Sequence, residues 1–101
     1  MDKFVTPCEL PTPREREILT IIIEEAAEVQ QRATKMLRFG VREVQPGQPY
    51  NNAERLADEV GDFSAILEMA YNAGLLSQER VVIAAKRKDE KLRAFMQTDP
   101  E

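Results

Sequence analysis

Four acidic residues on two predicted helices have the chemical types and the spacing needed to bind a hard cation. Glu25 and Glu28 lie three residues apart, and Glu59 and Asp62 repeat that spacing further along the chain. Side chains at positions i and i+3 leave the same face of a helix, so each pair presents two carboxylates together. Oxygen ligands without nitrogen or sulfur suit Mg²⁺, with Mn²⁺ as a possible substitute. The pattern therefore predicts a magnesium site built from both helices.

These carboxylates lie among apolar residues. On a helical wheel of about 100° per residue, Glu25 and Glu59 fall within the apolar stripes of their helices. Glu28 and Asp62 lie at the edges of the same stripes. A carboxylate on a buried face needs a cation, a proton or access to water, because burial disfavours the charged form. An ordinary alternative is that Glu28 forms an i, i+4 ion pair with Arg32 on a solvated face.

The composition excludes several other kinds of active site. The 101 residues include no histidine and a single cysteine, Cys8. Histidine general bases, internal disulfides and a structural zinc site within one chain are therefore excluded. The net charge of −4 and the pI near 5.0 argue against binding to a nucleic-acid polymer, which needs clustered basic residues. Chemistry in this chain must rest on carboxylates, lysine, arginine and hydroxyl groups.

The first helix that positions the carboxylates is predicted to begin at Pro13 and to end near Arg38. Thr12 is a candidate N-cap, and Glu15 three residues later completes a capping box. Gly40 is a natural stop. The apolar residues that recur at helical spacing in this segment are Ile18, Ile22, Val29, Ala33 and Met36.

Two further helices are predicted after a loop over residues 39–51. Asn51 caps the second, which runs to about Ala73, and Ser77 begins the third, which runs to about Met96. The apolar stripe of the second helix is Leu56, Val60, Phe63, Leu67 and Ala70. The stripe of the third is Val81, Ala85, Leu92 and Phe95.

The sequence thus predicts a single all-α domain over residues 1–101, a helical bundle of three main helices with an irregular N-terminal arm over residues 1–13. A chain of this length buries only a thin core, so we expect the bundle to be completed by oligomerisation. No apolar run approaches the roughly 20 residues that cross a bilayer, and no signal peptide is visible. We therefore expect a cytoplasmic protein without a membrane partner.

The acidic motifs resemble the signature of a known enzyme superfamily. The run EEAAE at residues 24–28, followed by EVGD at residues 59–62, resembles that of the all-α nucleoside triphosphate pyrophosphohydrolases. That group includes MazG, the dimeric dUTPases and phosphoribosyl-ATP pyrophosphohydrolase. Residues 52–63 look especially like MazG-like proteins, and the resemblance covers roughly residues 15–96. It implies Mg²⁺-dependent cleavage of a nucleoside triphosphate to a monophosphate and pyrophosphate, by a homodimer or homotetramer.

The resemblance also implies roles for the acidic residues. Carried over, Glu25, Glu28, Glu59 and Asp62 would hold the metal. Glu28 or Glu24 is then expected to orient and deprotonate the attacking water.

Three lysines are candidates for binding the substrate. Lys35, Lys88 and Lys91 would steady the leaving pyrophosphate electrostatically. Lys88 lies in the middle of the third apolar stripe, where it could equally be a lysine whose stem covers apolar surface.

Two other functions stay open on the sequence. One is the activity of phosphoribosyl-ATP pyrophosphohydrolase, which we rank lower because residues 52–62 look more like the MazG-like branch. The other is a non-catalytic helical oligomerisation module, whose carboxylates bind metal only for structure.

Overall fold

The computed structural model describes residues 9–100 and contains three α-helices and no strand within that range. The helices are α1 (Pro13–Phe39), α2 (Asn52–Asn72) and α3 (Gln78–Phe95). The predicted all-α class is confirmed, and the predicted bounds agree to within about one residue. Each helix is long enough to carry several turns of side chains on one face.

The N-terminal arm that the sequence predicts over residues 1–13 lies largely outside the described residues. The structure describes residues 9–12 as non-helical, and Pro13 is the first residue of α1. Cys8 lies outside the described range.

All three helices begin at the predicted caps. The Thr12 hydroxyl accepts a hydrogen bond from the Glu15 amide at 3.1 Å, and the Thr12 amide donates to the Glu15 carboxylate at 2.9 Å. Asn51 and Glu54 form the same reciprocal pair, at 2.8 Å and 3.0 Å. Ser77 caps α3 through its hydroxyl. Each cap satisfies amides that have no partner inside the helix and is worth about 1 kcal/mol.

Helices α1 and α2 pack as an antiparallel hairpin around a small apolar core. The buried core residues are Ile18 of α1 and Ile66 and Ala70 of α2. The partly buried residues that pack against them are Ile21, Ile22, Phe63, Ala73, Leu75 and Leu76. The core therefore occupies only one end of the hairpin, near the start of α1 and the end of α2.

The opposite end of the hairpin is closed by the connection over residues 40–51, which is latched onto the first turn of α2. The amides of Asn52 and Ala53 donate to the carbonyls of Glu43 and Val41, both at 3.0 Å. The Asn52 side chain is 1% exposed and donates through Nδ2 to the Gly40 carbonyl at 2.9 Å. The backbone amides of the first turn of a helix have no acceptor within the helix. Here the amides of α2 find acceptors in the loop, and these hydrogen bonds hold the long loop in place.

Helix α3 contributes no buried residue to this hairpin and makes almost no contact with α1 or α2. Its apolar residues are exposed, including Val82 at 62%, Ile83 at 56% and Phe95 at 80%. The amphipathic pattern of α3 predicts a buried face, but no residue of α3 is buried within one chain. Over the residues that the structure describes, no helix combines the length and apolarity needed to cross a membrane.

Candidate metal centre

Three of the four predicted metal ligands come together where α1 meets α2. Oxygens of Glu25, Glu59 and Asp62 all lie within 4.8 Å of one another, and we call these three residues the carboxylate cluster. Glu25 and Glu59 are half-buried, whereas Asp62 is exposed, so the cluster opens to solvent on one side. Six ligands around Mg²⁺ at about 2.1 Å stand roughly 3–4.2 Å apart, so small side-chain rotations would close this set around an ion.

The register of the hairpin explains why these residues meet. Glu25 follows Ile18 by seven residues, and Glu59 precedes Ile66 by seven residues. Seven residues make about two helical turns, or roughly 10.5 Å, along each antiparallel helix. The apolar core that brings Ile18 to Ile66 therefore also brings Glu25 level with Glu59. We call the meeting faces of α1 and α2, from the apolar core to the loop end, the inter-helix seam.

The pKa of Glu59 reports the electrostatics of this part of the seam. Partial burial raises the pKa of Glu59 above its ordinary value of 4.5, and the charges of Glu28, Asp62 and Glu25 raise it further. The positive charge of Arg32 acts in the opposite direction and lowers that pKa. Glu28 therefore belongs to the same electrostatic field, although its carboxylate is outside the group that lies within 4.8 Å.

The donor set fits a hard divalent cation. Oε2 of Glu25 is buried and has no hydrogen-bond partner among the described residues. An ionised carboxylate in that position has lost its water without gaining a donor, which costs free energy unless a cation compensates it. The cluster offers only oxygen ligands and an open side, as Mg²⁺ requires when it shares its shell with water and phosphate.

The other predicted site residues lie elsewhere on the chain. Glu24 is exposed on α1, and Lys88 and Lys91 are exposed on α3. Lys35 lines a depression of about 370 Å³ on α1, and a second depression of about 410 Å³ follows the start of α3. Neither depression is lined by a residue of the carboxylate cluster. Lys88 and Lys91 lie on α3, which makes almost no contact with the hairpin, and Lys35 follows Glu25 by ten residues, or roughly 15 Å along α1.

Two polar residues of the seam carry features that the sequence interpretation missed. Arg32 is only 8% exposed, and it forms no ion pair with Glu28 in the part of the chain that the structure describes. The solvated i, i+4 pair is therefore not formed. Arg32 follows Glu25 by seven residues, or about two helical turns, so the two residues share a face of α1. This spacing was the signal in the sequence that Arg32 lies on the buried face. Asn52 carried no comparable signal, because its burial depends on how the loop folds back.

We expect Glu59→Gln to stabilise the metal-free protein at neutral pH. The folded-state pKa of Glu59 is raised, so the folded protein holds this proton more tightly than the unfolded chain does. Stability is therefore lost as pH rises through the window between the ordinary pKa and the raised pKa. Urea unfolding in EDTA should show the variant to be more stable than the parent at pH 7, with the difference shrinking as pH falls through this window towards about pH 4.5.

With Mg²⁺ present, the parent should become more stable than Glu59→Gln. The free energy of unfolding of the parent rises by about 2.7 kcal/mol at a hundredfold excess of Mg²⁺ over Kd, and that of the variant rises by less. Glu17→Gln, which removes an exposed charge from α1, is the control and should change neither result. A Glu59→Gln protein less stable than the parent in EDTA at pH 7 would contradict the charge repulsion described here.

Comparison of the chain with models of known protein families, with curated proteins and with solved structures finds no match. The acidic motifs and the arrangement of their side chains in the hairpin are therefore the features that point to a function.

Proposed function

We propose that this protein is a Mg²⁺-dependent nucleoside triphosphate pyrophosphohydrolase of the MazG-like kind. The observation that carries the proposal is the carboxylate cluster, whose oxygens lie within 4.8 Å of one another and include a buried Oε2 of Glu25 without a partner. The resemblance of residues 24–28 and 59–62 to the superfamily signature supports the same activity. A hard cation held by carboxylates is a common means of binding phosphate chains, because the cation joins two kinds of anion.

The residues of the site have distinct roles in this proposal. Glu25, Glu59 and Asp62 hold the cation, with Glu28 as the fourth ligand or a neighbouring base. When bound, a divalent cation neutralises phosphate charge and lowers the pKa of a coordinated water. Glu28 is exposed, follows Glu25 by three residues on α1 and acts electrostatically on Glu59, and we assign it as the base that accepts the proton of the attacking water. Glu24, also exposed on α1, is the second candidate for this base.

The balanced reaction is hydrolysis of one phosphoanhydride bond. Water adds to phosphorus and gives its proton to the carboxylate base, while the bond that joins the nucleoside monophosphate to the pyrophosphate breaks. The pyrophosphate leaves with the bonding electron pair, and its negative charge must be stabilised by cationic groups.

We further infer that a second copy of the chain covers α3. This helix carries six basic and three acidic side chains, whereas α2 carries one basic and five acidic side chains. The exposed apolar residues of α3 are not covered by α1 or α2, and opposite charge on the two helices favours contact between copies. Such a homodimer or homotetramer could bring Lys88 and Lys91 of one copy to the phosphates bound by another.

Pyrophosphate release tests the activity directly. We expect the protein with MgCl₂ to convert at least one nucleoside triphosphate from a panel into monophosphate and pyrophosphate. Glu25→Gln keeps the shape of the side chain but removes a charge that holds the cation, so turnover should fall by roughly 10²-fold or more. Glu17→Gln is the matched control and should keep the parental rate.

A Glu25→Gln protein that hydrolyses the best nucleotide at the parental rate would refute the metal assignment. Phosphoribosyl-ATP belongs in the panel, since its selective cleavage would favour that alternative activity. Mg²⁺ binding without hydrolysis of any nucleotide would instead favour the non-catalytic helical module.

Sedimentation velocity tests the second copy. We expect a dimer or tetramer at micromolar concentration, because the interface would bury the apolar residues of α3 and pair its basic side chains. High salt should weaken the assembly, since part of its free energy comes from opposite charges. A well-folded monomer at micromolar concentration in low salt would contradict the inference.

A further inference from the structure

A second polar level of the inter-helix seam lies beyond the carboxylate cluster. Arg32 follows Glu25 by seven residues on α1, and Asn52 precedes Glu59 by seven residues on α2. Both steps equal two helical turns, so Arg32 and Asn52 lie about level with each other and roughly 10.5 Å along the seam from the carboxylates. Both residues are buried.

Arg32 is a buried cation that lacks a full set of hydrogen bonds. Its side chain is 8% exposed, and Nη1 is buried without a hydrogen-bond partner in the described part of the chain. Oδ1 of Asn52 is also buried without a partner, so the donor and the acceptor at this level do not bond to each other. A guanidinium cannot lose its proton to relieve the cost of burial. An anion that reaches it would supply the missing acceptor.

The tilt of side chains along an α-helix favours an approach of this charge to the carboxylate cluster. Side chains in an α-helix lean towards the N-terminus of their own helix. Arg32 therefore leans along α1 towards the level of Glu25, while Glu59 on the antiparallel helix leans towards the level of Arg32. The effect of the Arg32 charge on Glu59 agrees with this approach.

We propose that Arg32 couples cation binding to phosphate binding, by donating hydrogen bonds to a phosphate oxygen of a polyphosphate held at the carboxylate cluster. The inference rests on the proposed function of that cluster and assigns it a phosphate-binding residue. A guanidinium presents paired donors that match the oxygens of a phosphate, and such charge-assisted bonds are among the stronger ones in proteins.

The same charge also couples the affinity for the cation to the affinity for the polyphosphate. Without phosphate, Arg32 partly neutralises the field of the carboxylates and so weakens their affinity for a free divalent cation. With a polyphosphate present, the guanidinium pairs with the incoming anion, and the carboxylates regain their full charge towards the cation. Cation and polyphosphate therefore strengthen each other's binding, as linkage requires.

Isothermal titration calorimetry with inorganic tripolyphosphate and MgCl₂ tests the coupling without a turnover measurement. The variants are Arg32→Met, which keeps an unbranched stem without the charge, and Arg32→Lys, which keeps the charge without the planar fork. Arg16→Met removes an exposed arginine from the first turns of α1 and is the matched control. Magnesium also binds tripolyphosphate in solution, but that contribution is the same for every variant.

We expect Arg32→Met to weaken tripolyphosphate binding in MgCl₂ by about 10- to 100-fold, the loss of a charge-assisted hydrogen bond. The affinity of this variant for Mg²⁺ alone should be a few-fold tighter. Arg16→Met should match the parent in both titrations. If Arg32→Met does not fold, Arg32→Lys decides, with parental Mg²⁺ affinity and weakened tripolyphosphate binding expected.

Parental tripolyphosphate affinity in a folded Arg32 variant would overturn the proposal, as would an Arg32→Met protein that loses Mg²⁺ binding, because Arg32 would then be purely structural. These outcomes are distinct from failure of the proposed activity. A parent protein that shows the coupling but releases no pyrophosphate from any nucleotide refutes the hydrolase and leaves the role of Arg32 intact.

Discussion

The structure depends on holding three like charges together in the middle of one helix–helix contact. Carboxylate oxygens of Glu25, Glu59 and Asp62 lie within 4.8 Å of one another, where their mutual repulsion opposes the packing of α1 on α2. The apolar core at Ile18 opposes that repulsion from one end of the hairpin. The hydrogen bonds between Asn52 and the loop oppose the repulsion from the other end. The packing on either side therefore holds the cluster at its spacing against this repulsion.

The negative charge of the cluster is only partly balanced by the residues around it. Arg32 offsets part of the negative field but is left without a full set of hydrogen bonds. The exposed side of the cluster, at Asp62, leaves room for water and for a ligand. The cluster offers only oxygen ligands, and its negative charge is only partly neutralised by Arg32. Such a cluster is suited to a divalent cation that binds together with a polyphosphate. The exposed basic face of α3 provides further positive charge that one chain by itself does not bring to this site.

Local features made much of the fold predictable from the sequence. The reciprocal pairs of Thr12 with Glu15 and of Asn51 with Glu54 depend only on residues three positions apart, so the helix starts could be predicted. Two i, i+3 pairs in apolar stripes predicted four neighbouring carboxylates, and the structure brings the oxygens of three of them within 4.8 Å of one another. The surroundings of Arg32 could not be predicted, because they depend on the register between α1 and α2. An amphipathic pattern also shows that α3 has an apolar face without showing which surface covers it.

Anomalous diffraction from crystals grown with MnCl₂ shows whether the carboxylate cluster binds a cation, because Mn²⁺ can replace Mg²⁺ at an oxygen site and scatters anomalously. We expect a strong anomalous peak about 2.2 Å from carboxylate oxygens of Glu25, Glu59 and Asp62, as for a hard cation in an oxygen shell. The peak should be lost in crystals of Glu25→Gln grown under the same conditions. If well-ordered crystals of the parent protein show no peak at the cluster even with nucleotide present, the cluster is not a cation site.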